Sequence, residues 1–131
     1  MSTRTASDSN DPIIENRDQL AVPMAKGEKP RDRWRIGTEH EKFVYRTADH
    51  RAPSYDEPGG IRDLLMALTR YGWEPVYEGG NVIALSGSDG AISLEPAGQF
   101  ELSGAPLENL HQTCAETGRH LKQVKEVGAE L

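Results

Sequence analysis

Leu94-Glu95-Pro96-Ala97-Gly98-Gln99-Phe100-Glu101-Leu102-Ser103 is the stretch that decides the fold, read together with its counterpart upstream, Gly37-Thr38-Glu39-His40-Glu41-Lys42-Phe43. Each string sets acidic residues inside a run that otherwise reads as a half-buried β-strand. Strand side chains alternate faces with period two. Glu39 and Glu41 therefore point one way, and Gln99, Glu101 and Ser103 share a face while Phe100 and Leu102 take the other. Carboxylates gathered on the inner side of a sheet repel one another and are costly to desolvate, so they persist where a cation holds them. Hard divalent ions such as Mg²⁺ take oxygen ligands of this kind, commonly together with substrate phosphates. The pattern points to a metal–nucleotide site on a β-platform.

Working outward, three further strands are expected at Trp73 to Tyr77, Asn81 to Leu85 and Ala91 to Leu94. Glu78-Gly79-Gly80 and Ser86-Gly87-Ser88-Asp89-Gly90 separate them, and such short glycine-rich spacers suit antiparallel hairpins. The first acidic string sits in a strand expected from Trp34 to Tyr45. Ile61, Leu64, Leu65 and Leu68 recur at helical spacing, and Gly72 ends that helix. Pro106 occupies a favoured first-turn position. From Leu107 through Leu110, Cys114, Leu121, Val124 and Leu131 an apolar stripe is expected along a helix of roughly 37 Å. Ile13, Ile14, Leu20 and Met24 hint at another helix, interrupted by Pro23. The fold class is α+β, an antiparallel sheet with packed helices.

Composition narrows the function. Twenty-one acidic residues against 15 basic give a net charge of −6, the wrong balance for a nucleic-acid binder or an anionic-membrane binder. No apolar run has transmembrane length. Residues 1–12 are small and polar, the composition of a disordered tail. They carry no secretory core and include acidic residues, which transit peptides avoid. With one cysteine, Cys114, no internal disulfide forms, and a cytoplasmic home is the expectation.

The remaining chemistry-bearing residues have plainer readings. His40, between two glutamates, faces away from them and reads as a packed or hydrogen-bonded histidine. His111 and His120 are too isolated for a zinc site. Cys114 on the apolar stripe reads as a small buried hydrophobe. The glycine-rich turns lack the lysine and serine/threonine spacing of a phosphate loop.

Four strings taken together resemble the plant and proteobacterial type of glutamate–cysteine ligase: Arg35 to Phe43, Gly72-Trp73-Glu74-Pro75, Gly79 to Leu85 and Ile92 to Pro106, with Leu107 to Glu116 continuing the match. The resemblance runs from about Trp34 to Leu131. It implies a glutamine-synthetase-like fold, a curved antiparallel sheet whose concave face holds ATP and divalent ions. The implied activity is ATP-dependent ligation of the γ-carboxyl of L-glutamate to L-cysteine, the first step of glutathione biosynthesis. Carried onto this chain, Glu39, Glu41, Glu95 and Glu101 are the expected Mg²⁺ ligands. Gln99 is expected to hydrogen-bond substrate or orient Glu101. Ala97 departs from the family's usual second glycine, and Pro23 falls where the family has a helix. Members are several times longer, so residues 13–131 read as the N-terminal part of a catalytic domain whose remainder is a missing or separate segment. Two other readings stay open: a ligase of the same scaffold with a different amine acceptor, and a non-catalytic metal- or nucleotide-binding module or subunit.

Overall fold

The structure is a computed structural model that describes residues 13–88 and 90–131. The tail expected at residues 1–12 lies outside the described residues. The chain divides into two compact units, Met1–Trp34 and Arg35–Leu131.

In the first unit, helix α1 spans Asp18–Lys26. A reciprocal cap starts it. The Gln19 amide donates to Asn16 Oδ1 at 3.1 Å, and Gln19 Oε1 accepts from the amides of Glu15 and Asn16. Pro23 lies inside this helix rather than breaking it. A proline removes one backbone donor, and a nine-residue helix with no buried residue has little packing to lose by it.

The second unit contains the sheet. Its strands are β1 (Glu39–Lys42), β2 (Glu74–Glu78), β3 (Asn81–Ser86), β4 (Ala91–Glu95) and β5 (Gln99–Ser103). The order is β1-β5-β4-β3-β2, antiparallel throughout. The two glycine-rich spacers are hairpin turns, as expected. Gly79 and Gly80 both take positive φ, which only glycine adopts at no steric cost. β1 is far shorter than the strand expected from Trp34 to Tyr45. Upstream of it the run is held at single points, Thr38 O accepting the Gly104 amide at 2.7 Å and Ile36 bridging to Leu107, where the chain leaving β5 passes beside it.

Helix α2 (Ile61–Leu68) buries all four residues of its predicted stripe. Helix α3 (Leu110–Glu130) starts later than a Pro106 start would give, because Asn109 and Gln112 form a capping box. Its inward face matches the expected stripe only at Val124. His120 and Val127 are buried, whereas Leu110, Leu121, Leu131 and Cys114 are exposed. The residues turned inward, Thr117, His120, Val124 and Val127, form a stripe that polar members conceal from a hydropathy pattern. Both helices serve one face of the sheet. Ile61, Leu64, Leu65, Leu68 and Val127 pack with Val82, Leu85, Ile92, Phe100 and Leu102 into a single core.

Candidate functional site: the acidic face of the sheet

The core takes one face of the sheet, and the strand pleat sends the acidic residues to the other. Register makes the placement definite. Glu41 is paired with Glu101 and Glu39 with Ser103 across β1 and β5. Ser93 is paired with Glu101 and Glu95 with Gln99 across β4 and β5. Antiparallel partners point to the same side. Glu39, Glu41, Glu95, Gln99 and Glu101 therefore all lie on the side opposite Phe100 and Leu102, joined by Ser93 and Ser103. Next along the sheet, Ala84 pairs with Ser93 and Ser86 with Ala91, so small residues floor this face beyond the carboxylates.

Exposure differs along the row. Glu101 is 3 % exposed, in the second strand of the sheet, while Glu39 and Glu41 on the edge strand are exposed. Ser103 Oγ donates to Glu101 Oε1 at 2.7 Å. Gln99 Nε2 donates to Glu41 Oε2, so Gln99 orients Glu41, where the sequence suggested Glu101. Among the described residues no salt bridge ends on Glu39, Glu41 or Glu101. A carboxylate buried as deeply as Glu101, opposed to another and without an ion-paired Arg or Lys, is costly unless a cation joins the two.

Mg²⁺ suits the donor set by chemistry, since every candidate is an oxygen ligand. The geometry limits how. No group of three or more His, Cys, Asp or Glu side chains among the described residues is close enough to hold a metal ion. The opposed pair Glu41 and Glu101 remains. One or two carboxylates plus substrate phosphates is the usual way a protein holds Mg²⁺.

The back of β1 is tied down separately. His40 Nε2 lies 2.8 Å from Thr117 Oγ1 on α3, which bears out a hydrogen-bonded histidine facing away from the glutamates. Lys42 Nζ donates to the His40 carbonyl at 2.9 Å and sits over the Phe100 ring. Burial holds its amine below the usual lysine range, against the opposing pull of Glu101. His120, 3 % exposed, stacks on Phe100. Burial, with the neighbouring Lys42 and His40, pushes its pKa down to about 4. Neither of its ring nitrogens has a hydrogen-bond partner among the described residues. On the same helix, Glu116 Oε1 accepts the Ala105 amide at 2.8 Å and fixes the turn that leaves β5.

Sequence reasoning missed Ser93, Ser103, Thr117 and Glu116 as parts of this arrangement. Ser103 carried a signal, two residues beyond Glu101. The others depend on register or on how α3 lies against the sheet.

Comparison with known proteins adds an independent finding. Residues 35–131 match the model of a family described as glutamate-cysteine ligase family 2. The chain is 48 % identical over 130 residues to glutamate–cysteine ligase A, chloroplastic, of Oryza sativa subsp. japonica, covering 98 % of this chain and 25 % of the rice protein. It is 51 % identical over 116 residues to the chloroplastic enzyme of Arabidopsis thaliana (88 % and 22 %) and 52 % identical over 109 residues to that of Medicago truncatula (82 % and 21 %). The chain thus spans about a quarter of the length of these relatives. The cytoplasmic home expected above is corrected by this finding, since these relatives are named chloroplastic. A lone cysteine has no partner in this chain to pair with in any compartment, so it does not single out the cytoplasm.

Proposed function

The chain belongs to glutamate–cysteine ligase family 2, and from that premise we propose that it carries one wall of the active site of an ATP-dependent ligase joining the γ-carboxyl of L-glutamate to the amine of L-cysteine, the first step of glutathione biosynthesis. Residues 13–131 are read as the N-terminal part of the catalytic domain. The five-stranded sheet is read as a section of a glutamine-synthetase-like sheet with its acidic face turned to the nucleotide. The single observation that carries the reading is the opposed pair Glu41 and Glu101, on which no salt bridge ends among the described residues, on the face the core leaves open.

In this reading Glu41 and Glu101 hold Mg²⁺, and Glu39 and Glu95, which do not gather closely enough with them to share the ion directly, act through its bound water. When bound, Mg²⁺ offsets the negative charge that gathers as phosphoryl transfer makes an acyl phosphate of the glutamate side chain. Gln99 fixes the orientation of the Glu41 carboxylate, and Ser103 fixes that of Glu101. His40, locked to Thr117, prevents the short edge strand from peeling away with Glu39 and Glu41. Such fixed orientation is what makes charge stabilisation effective, because nothing has to reorganise during reaction.

The test is ADP release by the product of the complete reading frame, with MgATP, L-glutamate and L-cysteine. Release that requires both amino acids is expected. Release with glutamate and a different amine would reassign the acceptor, and no release with any amine would sink the reading.

A further inference from the structure

A positive charge stands behind the carboxylates. Lys42 follows Glu41 in β1 and is paired with Phe100, whose ring lies in the core, so its side chain leaves the sheet on the core side. It is half-buried there, and among the described residues no salt bridge ends on it. An ammonium drawn out of water without an ion pair is costly, and an uncharged side chain would cover Phe100 at less cost. The position calls for an electrostatic reason.

Two contacts fix where the ammonium lies. Lys42 Nζ donates to the His40 carbonyl at 2.9 Å and stands 6.0 Å from the centre of the Phe100 ring. His40 is in register with Leu102 and Lys42 with Phe100, and the rung between them is Glu41 with Glu101. The charge is therefore held behind the opposed carboxylates, one backbone layer away. Glu101 is the group whose pull raises the Lys42 pKa against its burial. The groups packed beside Lys42 carry no negative charge: His40 is bonded to Thr117 Oγ1, and His120, stacked on Phe100, is neutral at pH 7. Glu101 is 3 % exposed, so the path from the ammonium to its carboxylate runs through the sheet, where salt screens little.

We propose that Lys42 is the counter-charge of the metal site: it offsets the repulsion between Glu41 and Glu101 while the site is empty and moderates their hold on Mg²⁺ once the ion is bound. The inference rests on the metal-binding reading and adds a residue to it. Lys42 touches neither metal nor substrate. It is a positioning residue that acts through the carboxylates. An ammonium behind the pair and a divalent cation in front of it repel one another, so removing the ammonium tightens the metal and weakens the empty sheet. A lysine that only covered Phe100 would leave the metal unaffected.

One experiment needs no ligand. A double-mutant cycle combines Lys42→Met with Glu101→Gln in the 131-residue chain, melted in the presence of a chelator. Lys42→Met is expected to lower the melt by roughly 3 °C or more in wild type, and by less than half as much beside Glu101→Gln, where the charge it attracts is already gone. Lys42→Gln takes its place if the apolar variant does not fold. Equal losses in the two backgrounds would overturn the inference, since a residue that merely packs is indifferent to a charge across the sheet. A companion experiment follows ADP release by the product of the complete reading frame as free Mg²⁺ is varied. Lys42→Met is expected to reach its half-maximal rate at roughly threefold lower Mg²⁺, with a smaller change in the rate at saturation, and Lys42→Arg is expected to keep the wild-type requirement. An unchanged or higher requirement in Lys42→Met, or a lowered one in Lys42→Arg, would overturn the role of Lys42 and leave the ligase reading standing. ADP release by wild type without any need for Mg²⁺ would remove the metal-binding reading and the role of Lys42 together.

Discussion

Glu101 sits opposite Glu41 in a strand flanked on both sides, and its burial makes its charge the most expensive on the acidic face. Like charges directly opposed across strands destabilise a sheet. Glu101→Gln keeps the shape and removes the repulsion. Melting in the presence of a chelator is expected to rise by roughly 2–5 °C, while turnover in the ligase assay falls by about two orders of magnitude or more as the metal hold is lost. A variant that retains wild-type turnover at limiting Mg²⁺ would remove Glu101 from the ligand set. His120 has the opposite character, a titratable group buried uncharged. Its folded pKa, about 4, lies below the ordinary 6.5. Between these values the unfolded chain binds the proton and the folded chain does not, so stability rises with pH across that window. The contribution is complete above pH 6.5 and is lost as pH falls toward 4. Its size is roughly 2 kcal/mol once solvent screening is allowed for. Urea midpoints at about pH 7 and about pH 4.5 should differ accordingly, and His120→Phe should flatten the difference.

At the scale of elements, α3 does two things that its hydropathy conceals. It ties the back of β1 through Thr117 and His40, and it holds the exit of β5 through Glu116 and the Ala105 amide. Its first turn depends on the Asn109–Gln112 capping box. Asn109→Ala is expected to lower stability by about 1 kcal/mol, visible as an earlier melt. Leu65, fully buried at the centre of α2, fills the core itself. Leu65→Ala is expected to cost about 2–5 kcal/mol through lost transfer energy and an unfilled cavity. If the two losses came out equal in a denaturant titration, the division of roles between a capped helix start and a packed core would be wrong.

At the scale of the whole molecule, every core residue falls between Ile61 and Val127, inside the unit that begins at Arg35 and inside the family match. Helix α1 buries nothing. A chain of residues 35–131 is therefore expected to unfold cooperatively at the same urea midpoint as the whole, and a drop of more than about 1 kcal/mol would show that the first unit contributes to the core. The hairpins, the stripe of α2 and the face shared by Glu39 and Glu41 were legible in the sequence, because period-two and period-3.6 patterns and glycine turns are local. So was the resemblance that family membership bears out. The buried stripe of α3, the exposure of Cys114 and the brevity of β1 were not legible, since each depends on which neighbour is present. The sequence alone determined that these carboxylates belong to strands and which of them share a strand face. Only the tertiary structure decided that Glu41 confronts Glu101 and that Gln99 serves Glu41. Strand order and register are set by contacts between residues some sixty positions apart, and no local pattern encodes a pairing over that distance.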